Sequence, residues 1–488
     1  MNRRLLCAAL GLNCLLWMLF KQYYPYPTLV FDSYYYIKAA VLGLDTNAWP
    51  IGYSKFLRLY NLISHSPTLL VTLQFIFLQI ALLTFYFTWR LFFSPGKWMS
   101  YGLFALFFFN PLLLYCCNYI LSDALFISLS LLWITQLLWV LYRPRPWMIV
   151  SHALLLALAF TIRYNALYYP LVGAFAFVIS RQPWKYKLAG TGLPVVLVIA
   201  FIFYTSIRMG DAGGKKQFTP FGGWKIANDA LYMYAHVYSD HPGPVPEKFR
   251  VLDSMVRRYY IDYKDKGNIL NPEFTYGSFF MFATETPLLQ YMFRMSHTDY
   301  YWPYLNSRDW QAVAPLYREY GVYLIRKYPM AFARWFLWPN MIRWIDPPGE
   351  IFGSDVPYYW KEDYGGQYVR ACFAMDDLIF SKGAISFSRD LLFLYPKAFA
   401  VIHLAFTIGL VGFASCRGFR TIGGSRTQAF ILITVLWCCD LCFSLVSAAV
   451  VLRYEIFMMI LEISCGLFFI DWTYRHLDQR PIKYKNIS

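Results

Sequence analysis

The sequence predicts a mainly α, polytopic membrane protein with about ten transmembrane helices. A large extracytoplasmic domain, α-rich or α+β, is expected as an insert after the seventh helix. Three observations carry that prediction. Charged residues are only 15% of the 488 while 58% are hydrophobic, against about 25% charged in an ordinary soluble chain. Apolar runs near the length needed to cross the hydrocarbon core recur along the chain. The net charge of +16 is also unevenly spread: Arg208 to Leu391 holds 21 bases and 20 acids, leaving 23 bases and eight acids elsewhere. Bases concentrated on short junctions are the positive-inside signature and not a nucleic-acid footprint, so no nucleic-acid partner is expected.

Taken in order, the first run is Leu5 to Phe20, behind Asn2-Arg3-Arg4. No small-residue cleavage site precedes Lys21, so it reads as an uncleaved anchor and not a signal peptide. The stretch at 21–67 is too charged to span and forms a first outer loop. Runs follow at 68–93, 98–117, 122–142, 148–162, 166–180 and 188–207, then at 392–415, 429–446 and 450–470. Counted from a cytoplasmic N-terminus, the junctions at Arg143 to Pro146, Arg181 to Lys187 and Cys416 to Arg426 all fall inside, as does the tail from Arg475 to Lys485. The chain thus divides into a seven-helix module at 1–207, an extracytoplasmic domain at 208–391 and a C-terminal module with its cytoplasmic tail at 392–488. Within the domain, 246–263 has the pattern of an amphipathic helix. Lys327 to Trp344, rich in aromatics and Arg, suits a membrane surface. Of ten cysteines only Cys372 lies in the domain, so no disulfide can form within it. Cys438, Cys439 and Cys442 sit in an apolar run and read as small buried residues, not as metal ligands.

Few acids lie outside the domain, and two of them belong to the outer junctions. Asp32, in Phe31-Asp32-Ser33-Tyr34-Tyr35-Tyr36, sits at the water edge of the bilayer among tyrosines suited to that interface. Asp123, in Leu121-Ser122-Asp123-Ala124, opens the fourth helix, where an acid is also a favourable cap. Four bases share this outer face: Lys55 and Arg58, three apart on a possible helix, then Arg163 and Arg453 at membrane edges. Singly, each is explained by snorkelling to headgroups. Together with two acids they predict a site for a membrane-edge anion such as a lipid phosphate. Glu455 reads as a local partner of Arg453. Signatures of metalloprotease, nucleophile-elbow, Walker and dinucleotide sites are absent from the sequence. His65, His236 and His241 show no ligand spacing.

This layout resembles the GT-C superfamily of polytopic glycosyltransferases, which includes protein O-mannosyltransferases and the lipid A aminoarabinose transferase. The resemblance rests on Phe31-Asp32-Ser33-Tyr34-Tyr35-Tyr36, Trp49-Pro50-Ile51-Gly52-Tyr53-Ser54-Lys55, Leu121-Ser122-Asp123-Ala124-Leu125, Ile162-Arg163-Tyr164-Asn165 and Arg453-Tyr454. It covers 1–207 and 392–470. It implies an inverting transfer of a sugar from a polyprenyl-phosphate donor to an acceptor hydroxyl on a glycan, lipid or protein, at the extracytoplasmic face of a bacterial inner membrane. Asp32 would be general base, and Asp123 would orient a substrate or help bind a divalent cation. Lys55, Arg58, Arg163 and Arg453 would bind the lipid phosphate, with Tyr35 and Tyr164 lining the substrate. Many members carry paired acids where this chain has only Asp32 followed by Ser33, which leaves the cation, Mg²⁺ or Mn²⁺, open. The alternative reading is a transporter or lipid flippase without glycosyl transfer, which related halves or broken midplane helices would mark.

Overall fold

The computed structural model describes residues 3–212, 215–239, 243–264, 277–296, 307–349, 365–375, 394–447 and 450–478. Among them the chain is a mainly helical, multi-pass membrane protein. Eight helices are long and apolar enough to cross a membrane: Leu6–Tyr23, Pro67–Phe93, Lys97–Asn118, Asp123–Tyr142, Trp184–Asp211, Tyr395–Ser415, Gly424–Val446 and Leu452–His476. The apolar helices Trp147–Ile162 and Tyr164–Ile179 are shorter. Every apolar run of the sequence therefore forms a helix, and eight of the ten meet the length for a full crossing.

Local signals set the ends. Pro67 opens its helix behind Ser66, whose Oγ accepts the Leu69 N–H at 3.2 Å, and Pro111 does the same behind Asn110. That second proline divides Lys97–Asn118 into two pieces, Lys97–Phe108 and Pro111–Asn118. The first helix packs into the bundle, with Trp17 stacked on Phe75 at 4.4 Å. Elsewhere small residues let helices approach closely, as between lipid-bathed helices generally. A Cβ built on Gly409 would lie 3.2 Å from Phe469 Cβ, and one on Gly466 would lie 3.3 Å from the Phe406 backbone.

The two ends of the bundle differ in chemistry. At one end the basic junctions meet: Arg426 donates to the Phe92 carbonyl at 3.0 Å and Tyr186 to the Arg145 carbonyl at 3.0 Å. Arg475 also comes to Gly96 there. At the other end lie the 21–67 segment, the start of the Asp123 helix, Arg163 and Arg453. The 21–67 segment holds the helices Phe31–Val41 and Gly52–Asn61. Gln74 moors it: its amide donates to the carbonyls of Cys117 and Tyr119 at 3.0 and 2.9 Å, while its oxygen accepts the Tyr53 hydroxyl at 2.7 Å.

The described parts of 208–391 are helical and contain no strand. Phe221–Tyr234 packs along Ser307–Lys327 through glycine contacts, Gly223 on Ala314 and Gly321 on Ile226. Trp224 and Trp310 stack between them at 4.4 Å. The amphipathic pattern at 246–263 appears as a short 3₁₀ turn and the helix Arg250–Lys264. The domain sits on the 21–67 segment, with Phe282 5.8 Å from Phe31 and Trp310 6.2 Å from Trp49. One expectation is corrected: Cys438 and Cys442 are exposed on the flank of their helix and not buried, because an i,i+4 pair follows one helix face and this face is uncovered.

Gly52 holds the 21–67 segment against the fifth apolar helix, since a Cβ there would lie 2.6 Å from the Thr161 carbonyl oxygen. Gly52→Ala is expected to lower the thermal midpoint in detergent by the equivalent of about 1–3 kcal/mol. Gly102→Ala, where the added Cβ meets nothing within 4 Å, should leave the midpoint unchanged or slightly higher.

Candidate active site

Four helix ends deliver four charged side chains to one wall of a cavity. Asp32 lies in the first turn of Phe31–Val41, and Asp123 is the first residue of Asp123–Tyr142. Arg163 follows the end of Trp147–Ile162, where an extended φ of −149° turns it off the helix axis. Arg453 is in the first turn of the final helix, Leu452–Asp478. Arg163 makes a close ion pair with Asp123. Arg453 spans both acids, 3.6 Å from Asp32 Oδ2 and 4.0 Å from Asp123 Oδ2.

Two guanidinium groups this close repel each other. Asp123 compensates both, and so does an aromatic face: the Tyr454 ring centre lies 4.1 Å from Arg163 and 5.1 Å from Arg453. Asp123 is nearly closed off, at 5% side-chain exposure, whereas Asp32 keeps 25%. Asp32 is thus the acid with the looser partner and the open face. Burial pushes its carboxyl above the ordinary aspartate range, against the pull of Arg453; Asp123 adds to the rise, while Arg163 and a hydrogen bond from Trp49 oppose it. Tyr36, one turn on, bonds to Ser122 Oγ at 3.2 Å, tying the two acid-bearing helices together.

The cavity has a volume of about 960 Å³, with a lining more apolar than polar. Its bundle side carries these charges, and its aromatic wall includes Phe31, Trp49 and Phe282. The far wall comes from the domain, with Lys225, Ser278 and Glu285. Lys225 is only 5% exposed; it pairs with Asp229 and donates to the Gly277 carbonyl at 3.1 Å. Burial raises the Asp229 carboxyl to about 6, with Lys225 and Asn228 holding it from going higher.

Of the residues expected from sequence, Asp32, Asp123, Arg163, Tyr164 and Arg453 line this cavity. Lys55, Arg58 and Tyr35 do not. In Gly52–Asn61 the buried residues Tyr53, Leu57 and Tyr60 define the inward face, so positions 55 and 58 share the opposite one. Lys55 pairs with Asp45 at 2.8 Å, and Arg58 reaches the Gly43 carbonyl at 3.4 Å. Tyr35 stacks on Trp49 at 3.9 Å behind the wall, and Tyr36 takes the cavity position. Glu455 is not the partner of Arg453. Two residues on along the helix it faces elsewhere, and it is 1% exposed. Tyr36 and Tyr454 stood inside the quoted motifs, but Lys225 carried no signal, since an i,i+4 pair with Asp229 looks like any exposed helix pair.

Asp32 and Asp123 both lie against guanidinium groups, and no cluster of three or more His, Cys, Asp or Glu suited to a metal occurs among the described residues. What the arrangement offers is a cation pair held at a membrane-edge cavity, beside a carboxylate free to take a proton.

Inorganic pyrophosphate is a simple probe of that cation pair, read as a rise in thermal midpoint. Tyr454→Phe should keep its binding, because the ring face is retained. Tyr454→Leu should weaken it about tenfold, a cation–π contribution of 1–2 kcal/mol. Lys55→Ala and Arg58→Ala should leave it unchanged; a loss comparable to that of Tyr454→Leu would return those two bases to the site.

Compared with protein-family models, curated proteins and solved structures, the chain matches none.

Proposed function

We propose that the protein is a membrane glycosyltransferase that moves a sugar from a polyprenyl-phosphate-linked donor to an acceptor hydroxyl. The observation that carries this reading is the pairing of an open carboxylate, Asp32, with the Arg163–Arg453 cation pair on the wall of a largely apolar cavity at one end of the bundle. An apolar cavity at the edge of the spans suits a lipid-linked substrate, and two guanidiniums suit its phosphate.

In the proposed reaction Asp32 accepts the proton of the acceptor hydroxyl as that oxygen attacks the anomeric carbon. The bond from that carbon to the phosphate oxygen breaks, and its electron pair leaves with the polyprenyl phosphate. Arg163 and Arg453 stabilise the departing charge. A single displacement inverts the anomeric configuration, and no second carboxylate is required as nucleophile. Asp123 acts as a positioning residue that holds the two guanidiniums side by side. The basic junctions at the opposite end argue that the cavity opens on the extracytoplasmic face, with both termini cytoplasmic. A bacterial inner membrane with external glycan, lipid or protein acceptors is the corresponding setting.

Asp32→Asn, with its similar volume, should insert and melt like the wild type while losing about 10²–10⁴-fold in transfer rate. Undiminished transfer by the well-folded variant would remove Asp32 from the chemistry. Arg163→Ala should raise the donor KM. The ionised form of Asp32 is the active one, and its carboxyl is held above the ordinary range. The acid limb of kcat/KM should therefore lie above that range. Arg453→Gln removes the cation that favours ionisation and should move the limb further up. A limb unmoved by this change would mean that another group titrates.

A further inference from the structure

The segment Pro329–Ile345 forms one amphipathic unit from the helix Pro329–Phe332, the π-helical turn Ala333–Leu337 and the helix Trp338–Ile345. Every fourth residue turns inward: Phe332, Phe336, Asn340 and Trp344 are buried. The other side carries Met330, Trp335, Trp338, Ile342 and Ile345, exposed by 80%, 38%, 57%, 50% and 40%. A row of large apolar side chains open on one side needs a partner.

Its position identifies that partner. Asn340 donates to the Leu445 carbonyl at 3.2 Å, in the last turn of Gly424–Ser447. Trp344 reaches deeper, its Nε1 3.4 Å from Asp440 Oδ2 and its ring 4.4 Å from that of His403. Asp440 lies about 9 Å inside the point where that span ends at Val446, at 1.5 Å per residue. At the C-terminal end, Asp346 pairs with Lys397 in the first turn of Tyr395–Ser415. The segment is therefore pinned beside the ends of two spans, at the depth where hydrocarbon meets headgroups. The span next to it is itself apolar and open at Val401, Leu404 and Ile408. Arg326, Lys327 and Arg334 are exposed along the same stretch, where lipid phosphates would meet them.

We propose that Pro329–Ile345 is an interfacial lipid anchor. Its Trp338–Ile342 face lies in the acyl–headgroup boundary of the leaflet on the domain side, and its bases lie against lipid phosphates. The anchor also touches the cavity: the Phe336 ring centre is 5.4 Å from the Nζ of Lys225, which lines the far wall. The bilayer surface thereby sets the height of that wall above the spans. This holds whether or not the cavity performs glycosyl transfer.

Photocrosslinking of the full chain in vesicles of phosphatidylethanolamine and phosphatidylglycerol tests it. Trp338→p-benzoylphenylalanine, or Ile342→p-benzoylphenylalanine if the first fails to fold, is irradiated and the adducts are identified by mass. Ile408, on the open flank of its span, serves as the lipid-facing control, and Arg258, with 83% of its side chain exposed, as the aqueous one. Lipid adducts at 338 within about twofold of those at 408 are expected for an interfacial helix. A yield like that at 258, or an adduct to a second copy of the chain in place of lipid, overturns the proposal.

Discussion

The arrangement of this protein turns on one electrostatic constraint: two arginines are brought together where the membrane ends, and something must neutralise them. Asp123 serves both, in close contact with Arg163 and 4.0 Å from Arg453, and Asp32 lies 3.6 Å from Arg453. An uncompensated charge at such depth is costly. The ends of the fourth, fifth and last apolar helices are therefore locked to one another by charge, and Tyr454 adds an aromatic face shared by both cations. Asp32 completes the group from a non-spanning helix, with no contact as close as that between Asp123 and Arg163 and with more of its surface open. The same balance that holds the helix ends in register leaves one carboxylate without a tight partner.

The surrounding structure keeps this group in place and partly dry. Gln74 satisfies the carbonyls of Cys117 and Tyr119 at the end of one span and holds Tyr53 of the 21–67 segment, so a single side chain fastens that segment to the bundle. Aromatic contacts between that segment and the inserted domain then close the other side, through Phe31 on Phe282 and Trp49 on Trp310. The far wall ends in Lys225, a buried ammonium matched by Asp229. The cavity thus combines charged side chains with an apolar, aromatic lining.

Polar groups buried among the last spans have a different task. Tyr168 donates to Asp440 at 2.8 Å, while Glu462 accepts from Trp437 at 2.6 Å and bonds to His403 at 2.8 Å. Hydrogen bonds of this kind tie helices together where lipid offers no hydrophobic gain. Trp344 enters the same network from the inserted domain. Among the described residues, 208–391 is joined to the rest of the chain over the cavity and beside Tyr395–Ser415 and Gly424–Ser447.

Much of the architecture was legible in the sequence because apolar run length and junction charge are local properties. Each of the ten runs is a helix, and the basic junctions gather at one end. Asp32, Asp123, Arg163 and Arg453 were legible for a related reason: a charge at the edge of an apolar run has few places to go. Lys55 and Arg58 show where that logic stops. Their spacing established that they share a helix face, but packing of Tyr53, Leu57 and Tyr60 decided that the face points away. Tyr35 and Tyr36 likewise differ by one position, and only the stacking of Tyr35 on Trp49 assigns the cavity to Tyr36. The sequence by itself thus determined which segments enter the membrane and which charges lie at its edge, since transfer into lipid depends on composition. Only the tertiary structure decided which charges meet, and that Lys225 joins them from far along the chain, because direction around a helix axis is set by packing partners.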